Sequence, residues 1–159
     1  MALSDKREPT PKEKQRIAQD YYDFWFDSAR GFFRLYTHAL ADKDLKKAAF
    51  LLHQSAEAAY KTVLLVFTGY SPHEHYLNIL GQMAAESDAA MGDIFPRDTE
   101  EARERLELLN YAYIGARYDP TYWIAEENLN LLAVCVGKLL DRTRQICEAE
   151  IERLGPDPK

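Results

Sequence analysis

Cysteine is almost absent: Cys135 and Cys147 are the only two. They offer no metal-ligand spacing and no disulfide framework. On one helix the twelve residues between them span about 18 Å, too far for a disulfide. Glycine and proline are scarce as well, at seven each, which argues against a fibrous repeat or a disordered chain. No apolar run reaches the roughly 18–20 residues a membrane span needs; Thr62–Phe67 is the longest candidate. The first fifteen residues are charged and carry no signal-peptide core, so the expected compartment is cytoplasmic. Positive charge is also in short supply. With 26 Asp and Glu against 20 Lys and Arg, the formal charge is −6, which excludes a broad basic face for duplex DNA. A local basic pocket remains compatible with it.

What is present is helix-forming sequence. The 159 residues suit one domain over 10–155, with a disordered segment at 1–9 and a tail at 156–159. Thr10-Pro11-Lys12-Glu13 is a helix start: an N-cap, a proline at the first helical position and a glutamate completing a capping box. The first helix is expected over 11–40, with Ile17, Tyr21, Phe24, Trp25, Phe32 and Leu35 near helical spacing. Asp44 opens a second helix that ends at Gly69, and its nearly all-round apolar character predicts a central position. Ser71-Pro72-His73-Glu74 repeats the start signature, so a third helix is expected over 72–91. A fourth, capped by Asp98 or Thr99, runs to about Arg117, because Pro120 disfavours helix just before it. A fifth is expected over 122–154. No segment alternates with period two. The expected fold is all-α: a five-helix, up-and-down antiparallel bundle.

Two polar groups stand out. His53, Gln54, Glu57 and Lys61 recur at helical steps and interrupt the apolar second helix, either as a solvated seam or as a cluster facing a groove. Arg117-Tyr118-Asp119 ends the fourth helix. An arginine there suits the helix dipole, and Arg followed by Tyr also suits a phosphate with a base stacked beside it. His73 and His75 lie two apart, a poor metal pair on a helix. There is no phosphate-cradling glycine loop and no zinc or di-iron motif. The sequence implies no cofactor and no metal.

The stretch Ala48-Ala49-Phe50-Leu51-Leu52-His53-Gln54-Ser55-Ala56-Glu57-Ala58-Ala59-Tyr60-Lys61, then Pro72 with His75, then Tyr113-Ile114-Gly115-Ala116-Arg117-Tyr118-Asp119, resembles the HEPN domain family over roughly residues 25–150. Leu52-His53-Gln54 and Leu64–Tyr70 look closest to the branch that lies downstream of, or beside, a nucleotidyltransferase. The resemblance implies a helical bundle that pairs as a homodimer and binds nucleotides or RNA, with toxin roles in some members. It carries Gln54, Glu57, Lys61, His75, Arg117 and Tyr118 over as site residues, with His53 and Asp119 beside them.

One departure bears on activity. Ribonuclease members place a histidine four to six residues beyond the arginine, and the corresponding residues here are Tyr122, Trp123 and Ile124. Cleaving RNA without a metal needs an acid/base group for the 2′-hydroxyl proton. The reading is therefore a non-catalytic module, dimeric, binding a nucleotide or RNA end and associated with a nucleotidyltransferase. A ribonuclease toxin with a divergent site and a ligand-free docking domain are the alternatives.

Overall fold

A computed structural model describes residues 7–156. Residues 1–6 of the expected N-terminal segment and 157–159 of the tail lie outside the described residues. Five helices form: α1 (Pro11–Ala41), α2 (Leu45–Thr68), α3 (Leu77–Ala85), α4 (Glu100–Tyr118) and α5 (Glu126–Leu154), with a 3-10 turn at Ala89–Asp93 between α3 and α4. No strand occurs among the described residues, and the all-α bundle is the fold that forms.

Helix α2 is the hub. It packs on α1, α3, α4 and α5, and Leu52, Ala56, Ala59, Tyr60 and Val63 are at most 1% exposed. The apolar circumference of α2 dictates this, since such a helix must be covered on several sides. Its ends follow local chemistry. Asp44 caps the start by accepting from the Lys47 N–H, and Gly69 closes the end in the left-handed region, at φ 73°. On α1 the Thr10–Glu13 capping box forms in both directions, and Arg7 reaches back to Glu13 at 2.9 Å. Thr99 caps α4.

Three expectations are corrected. The third helix does not start at Pro72; residues 70–76 are non-helical and α3 begins at Leu77. Glu74 does not reach back to Ser71. Its carboxylate accepts from the backbone N–H groups of His75 and Tyr76 at 3.0 and 3.1 Å. The first turn of α3 is satisfied from another helix instead: buried Asn110 of α4 accepts from the Leu77 N–H at 2.8 Å. Nor does that helix run to Met91, because the chain breaks after Ala85. The following turn is tied to α5, where Arg142 donates twice to Asp88, at 2.6 and 2.9 Å.

The fifth helix starts at Glu126 rather than Tyr122. Tyr122 and Ile124 are buried from a non-helical segment, where the Tyr122 hydroxyl donates to the Leu108 carbonyl at 2.9 Å. On α1 the face against the bundle carries Ala18, Phe26, Ala29 and Tyr36. Ile17, Phe24 and Leu35 stay in solvent, at 43%, 66% and 51% exposure. The helix carries two apolar stripes, and the bundle covers one.

Candidate functional site

The polar residues of α2 are buried and partnered within the protein. His53 is 0% exposed, Glu57 9% and Lys61 8%. Lys61 Nζ donates to Glu57 Oε2 at 3.0 Å, and His75 Nδ1–H donates to Glu57 Oε1 at 2.8 Å. His53 Nε2–H donates to the His75 carbonyl at 2.8 Å. Its Nδ1 accepts from Gln54 Nε2 at 3.3 Å. This pattern assigns His53 the neutral Nε2–H tautomer. Burial agrees, pushing its pKa from 6.5 down to about 4 against the opposing pull of the His75 carbonyl and Glu57. The 3.9 Å approach of His53 to Glu57 is therefore not an ion pair near neutral pH.

The network fixes the segment before α3. His75 is held by its ring nitrogen, by its carbonyl and by stacking on Tyr113 of α4, with ring centres 3.9 Å apart and planes 16° from parallel. Its side chain stays 41% exposed, and Nε2 has no hydrogen-bond partner among the described residues. The arrangement is a carboxylate–imidazole pair with one nitrogen facing outward.

The end of α4 is the open part of the site. Arg117 Nε donates to the Tyr113 carbonyl one turn back, at 2.8 Å. The guanidinium carbon lies 5.0 Å from the Phe50 ring centre, 4.7 Å from Tyr113 and 5.0 Å from Tyr118. No carboxylate pairs with Arg117 among the described residues, and it is exposed. Tyr118 is 72% exposed. Asp119 is engaged locally: it accepts from the Thr121 hydroxyl at 2.7 Å, the Thr121 N–H at 2.9 Å and the Tyr111 hydroxyl at 2.8 Å. These bonds, Thr121 first, hold its carboxyl below the usual range. Gly115 makes room for this, since a Cβ there would meet the rings of Tyr111 and Tyr122.

The structure thus divides the residues singled out by sequence. Glu57, Lys61, Gln54, His53 and His75 form one network; Arg117, Tyr118 and Asp119 form another. The expectation that Gln54, Glu57 and Lys61 orient Arg117 is not met, because Arg117 rests on Phe50 and Tyr113. The Tyr113 ring joins the two groups, with His75 and Arg117 both against it. Lys61 is spent on Glu57. Lys46 is the second cation near the α4 end, with Nζ 3.3 Å from the Asp119 carbonyl.

Sequence reasoning missed Phe50, Tyr113 and Lys46. Spacing held part of the signal: Tyr113 precedes Arg117 by one turn, and Lys46, Phe50 and His53 share a face of α2. A cavity of about 150 Å³ opens beside Tyr113, lined in part by His75, Tyr76, Tyr111 and Ile114. It is smaller than the roughly 300 Å³ usual for small-molecule pockets. A larger hollow of about 480 Å³ lies along Lys12–Gln19, but all its lining comes from α1, so nothing encloses a ligand there.

The HEPN domain model matches residues 22–153. The chain belongs to the HEPN family. No curated protein matches it. In this HEPN domain no cluster of three or more His, Cys, Asp or Glu side chains is placed to hold a metal among the described residues. No helix among them is long and apolar enough to cross a membrane.

Proposed function

We propose that this HEPN domain is a non-catalytic module that binds a nucleotide or the end of an RNA strand at the α4 terminus. The observation that carries the reading is Arg117: an exposed guanidinium without a carboxylate partner, held on three aromatic rings. Arginine is a forked donor for phosphate, and a ring beside it stacks on any base. Lys46 adds a second positive charge, and Tyr118 supplies the stacking face. The buried α2 network positions His75 and, through Tyr113, the platform under Arg117. A homodimeric state and association with a nucleotidyltransferase domain or partner belong to this reading; the supporting features are the Leu52–Gln54 and Leu64–Tyr70 stretches. Titration with ATP, other nucleotides and short RNAs with and without a 5′-phosphate tests it. Binding should fall at least about tenfold in Arg117→Ala, the loss of one charge-assisted contact. Absence of binding, or binding unchanged in that variant, sinks the reading.

One observation favours a second reading, a divergent ribonuclease. His75 Nε2 is open while Glu57 holds Nδ1, the orientation a general base requires. In that case RNA is cut, and cutting is lost in both His75→Gln and Arg117→Ala. Intact RNA after prolonged incubation removes this alternative and leaves the binding reading standing.

A further inference from the structure

The stripe of α1 that the bundle leaves uncovered has the pattern of a helix-pairing seam. Ile17, Tyr21, Phe24, Ser28, Gly31 and Leu35 recur at alternating steps of four and three, the spacing that keeps one seam facing a partner helix. They span eighteen residues, about 27 Å of helix. Phe24 in the middle is 66% exposed.

The geometry points to a second copy of this chain as the occupant, its α1 running antiparallel along this stripe. Size argues for that register. It sets Tyr21 opposite the partner's Gly31, Phe24 opposite the partner's Ser28, and Ile17 opposite the partner's Leu35, so each aromatic ring meets a small residue. A parallel register would stack Phe24 on Phe24 and leave glycine facing glycine.

Charge argues the same way. Asp20, Asp27 and Arg34 follow one flank of the stripe at steps of seven. In the antiparallel register Asp20 lies beside the partner's Arg34, and the two-fold axis makes that pair twice. The two Asp27 side chains meet at the axis, each with its own Arg30 at 3.7 Å to offset the repulsion. In a parallel register Asp20 and Asp27 would instead face Trp25 and Phe32. The Arg117 site plays no part in this argument, so either proposal stands or falls without the other.

Sedimentation equilibrium of the full chain tests the pairing. One helix pair lies at the small end of stable interfaces, so a dimer dissociating at about micromolar concentration is expected. Phe24→Asp should sediment as a monomer with unchanged helical circular dichroism. Arg34→Asp should weaken association by about tenfold, since each dimer turns two attractive pairs repulsive, and adding Asp20→Arg should restore it.

Register is read by oxidation in a Cys135→Ser background. Ile17→Cys with Leu35→Cys in one chain should link into a covalent dimer, whereas neither alone should. A monomeric wild-type chain overturns the proposal, as does a dimer indifferent to Phe24→Asp. Failure of the charge swap to restore association, or linkage by either single cysteine, overturns the antiparallel register.

Discussion

Thr10-Pro11-Lys12-Glu13 and Ser71-Pro72-His73-Glu74 carry the same helix-start signature, and only the first starts a helix there. At Thr10 the hydroxyl accepts from the Glu13 N–H while Glu13 returns to the Thr10 N–H, at 3.1 Å each. At Ser71 the glutamate turns forward to His75 and Tyr76 instead. The difference lies downstream. The residues after Glu13 have only their own helix to join. His75 is claimed by Glu57 through its ring and by His53 through its carbonyl, and Leu77 by Asn110. A capping box contributes on the order of 1 kcal/mol, and several buried, partly charged hydrogen bonds outweigh it. Local sequence governs where tertiary structure makes no competing offer.

The largest effect should come from removing the centre of that competing offer. Glu57→Ala leaves Lys61 buried with an unpaired charge and releases His75. It should cost about 3–5 kcal/mol in denaturant unfolding, and Glu57→Leu combined with Lys61→Met should recover much of that. A loss under about 1 kcal/mol in Glu57→Ala would show that the network does not hold the 70–76 segment.

Acid should weaken the same network. Unfolded His53 takes up its proton near pH 6.5, and folded His53 only near pH 4. The unfolded state therefore binds more protons between those values, and stability falls as pH drops through that window. From pH 7.5 to 5 the loss should be about 2 kcal/mol. Urea unfolding at both pH values, compared with His53→Gln, isolates the contribution, because the variant should lack that component of the slope.

The two signatures should also separate by substitution. Thr10→Ala should cost about 1 kcal/mol, while Ser71→Ala should stay within about 0.5 kcal/mol, since the Ser71 hydroxyl caps nothing. Equal losses in thermal unfolding would contradict the comparison. The smallest effect is expected for Glu74→Ala. Its carboxylate bonds lie in a half-exposed turn, so about 0.5–1 kcal/mol should be lost, seen as faster amide exchange at His75 and Tyr76.

Periodicity and caps were enough to read α1, α2 and α4, because their ends are set within a few residues of chain: Thr10, Asp44, Gly69 and Thr99 act on their own first or last turn. They were also enough to place α2 at the centre, since a helix apolar on most sides has no other stable position. The motif residues at 53–61, 75 and 117–119 were legible by spacing and resemblance. Their partners were not. That Lys61 is spent on Glu57, that Arg117 rests on Phe50 and Tyr113, and that Lys46 joins it depend on contacts between residues far apart in the chain. The same holds for the late starts of α3 and α5 and for which stripe of α1 is buried. The sequence by itself determined the helical class, most of the helix ends and the identity of the polar residues. Only tertiary structure decided which of those residues are internally neutralised and which face solvent, because that choice turns on burial and partner distance, and neither is a property of a local stretch of chain.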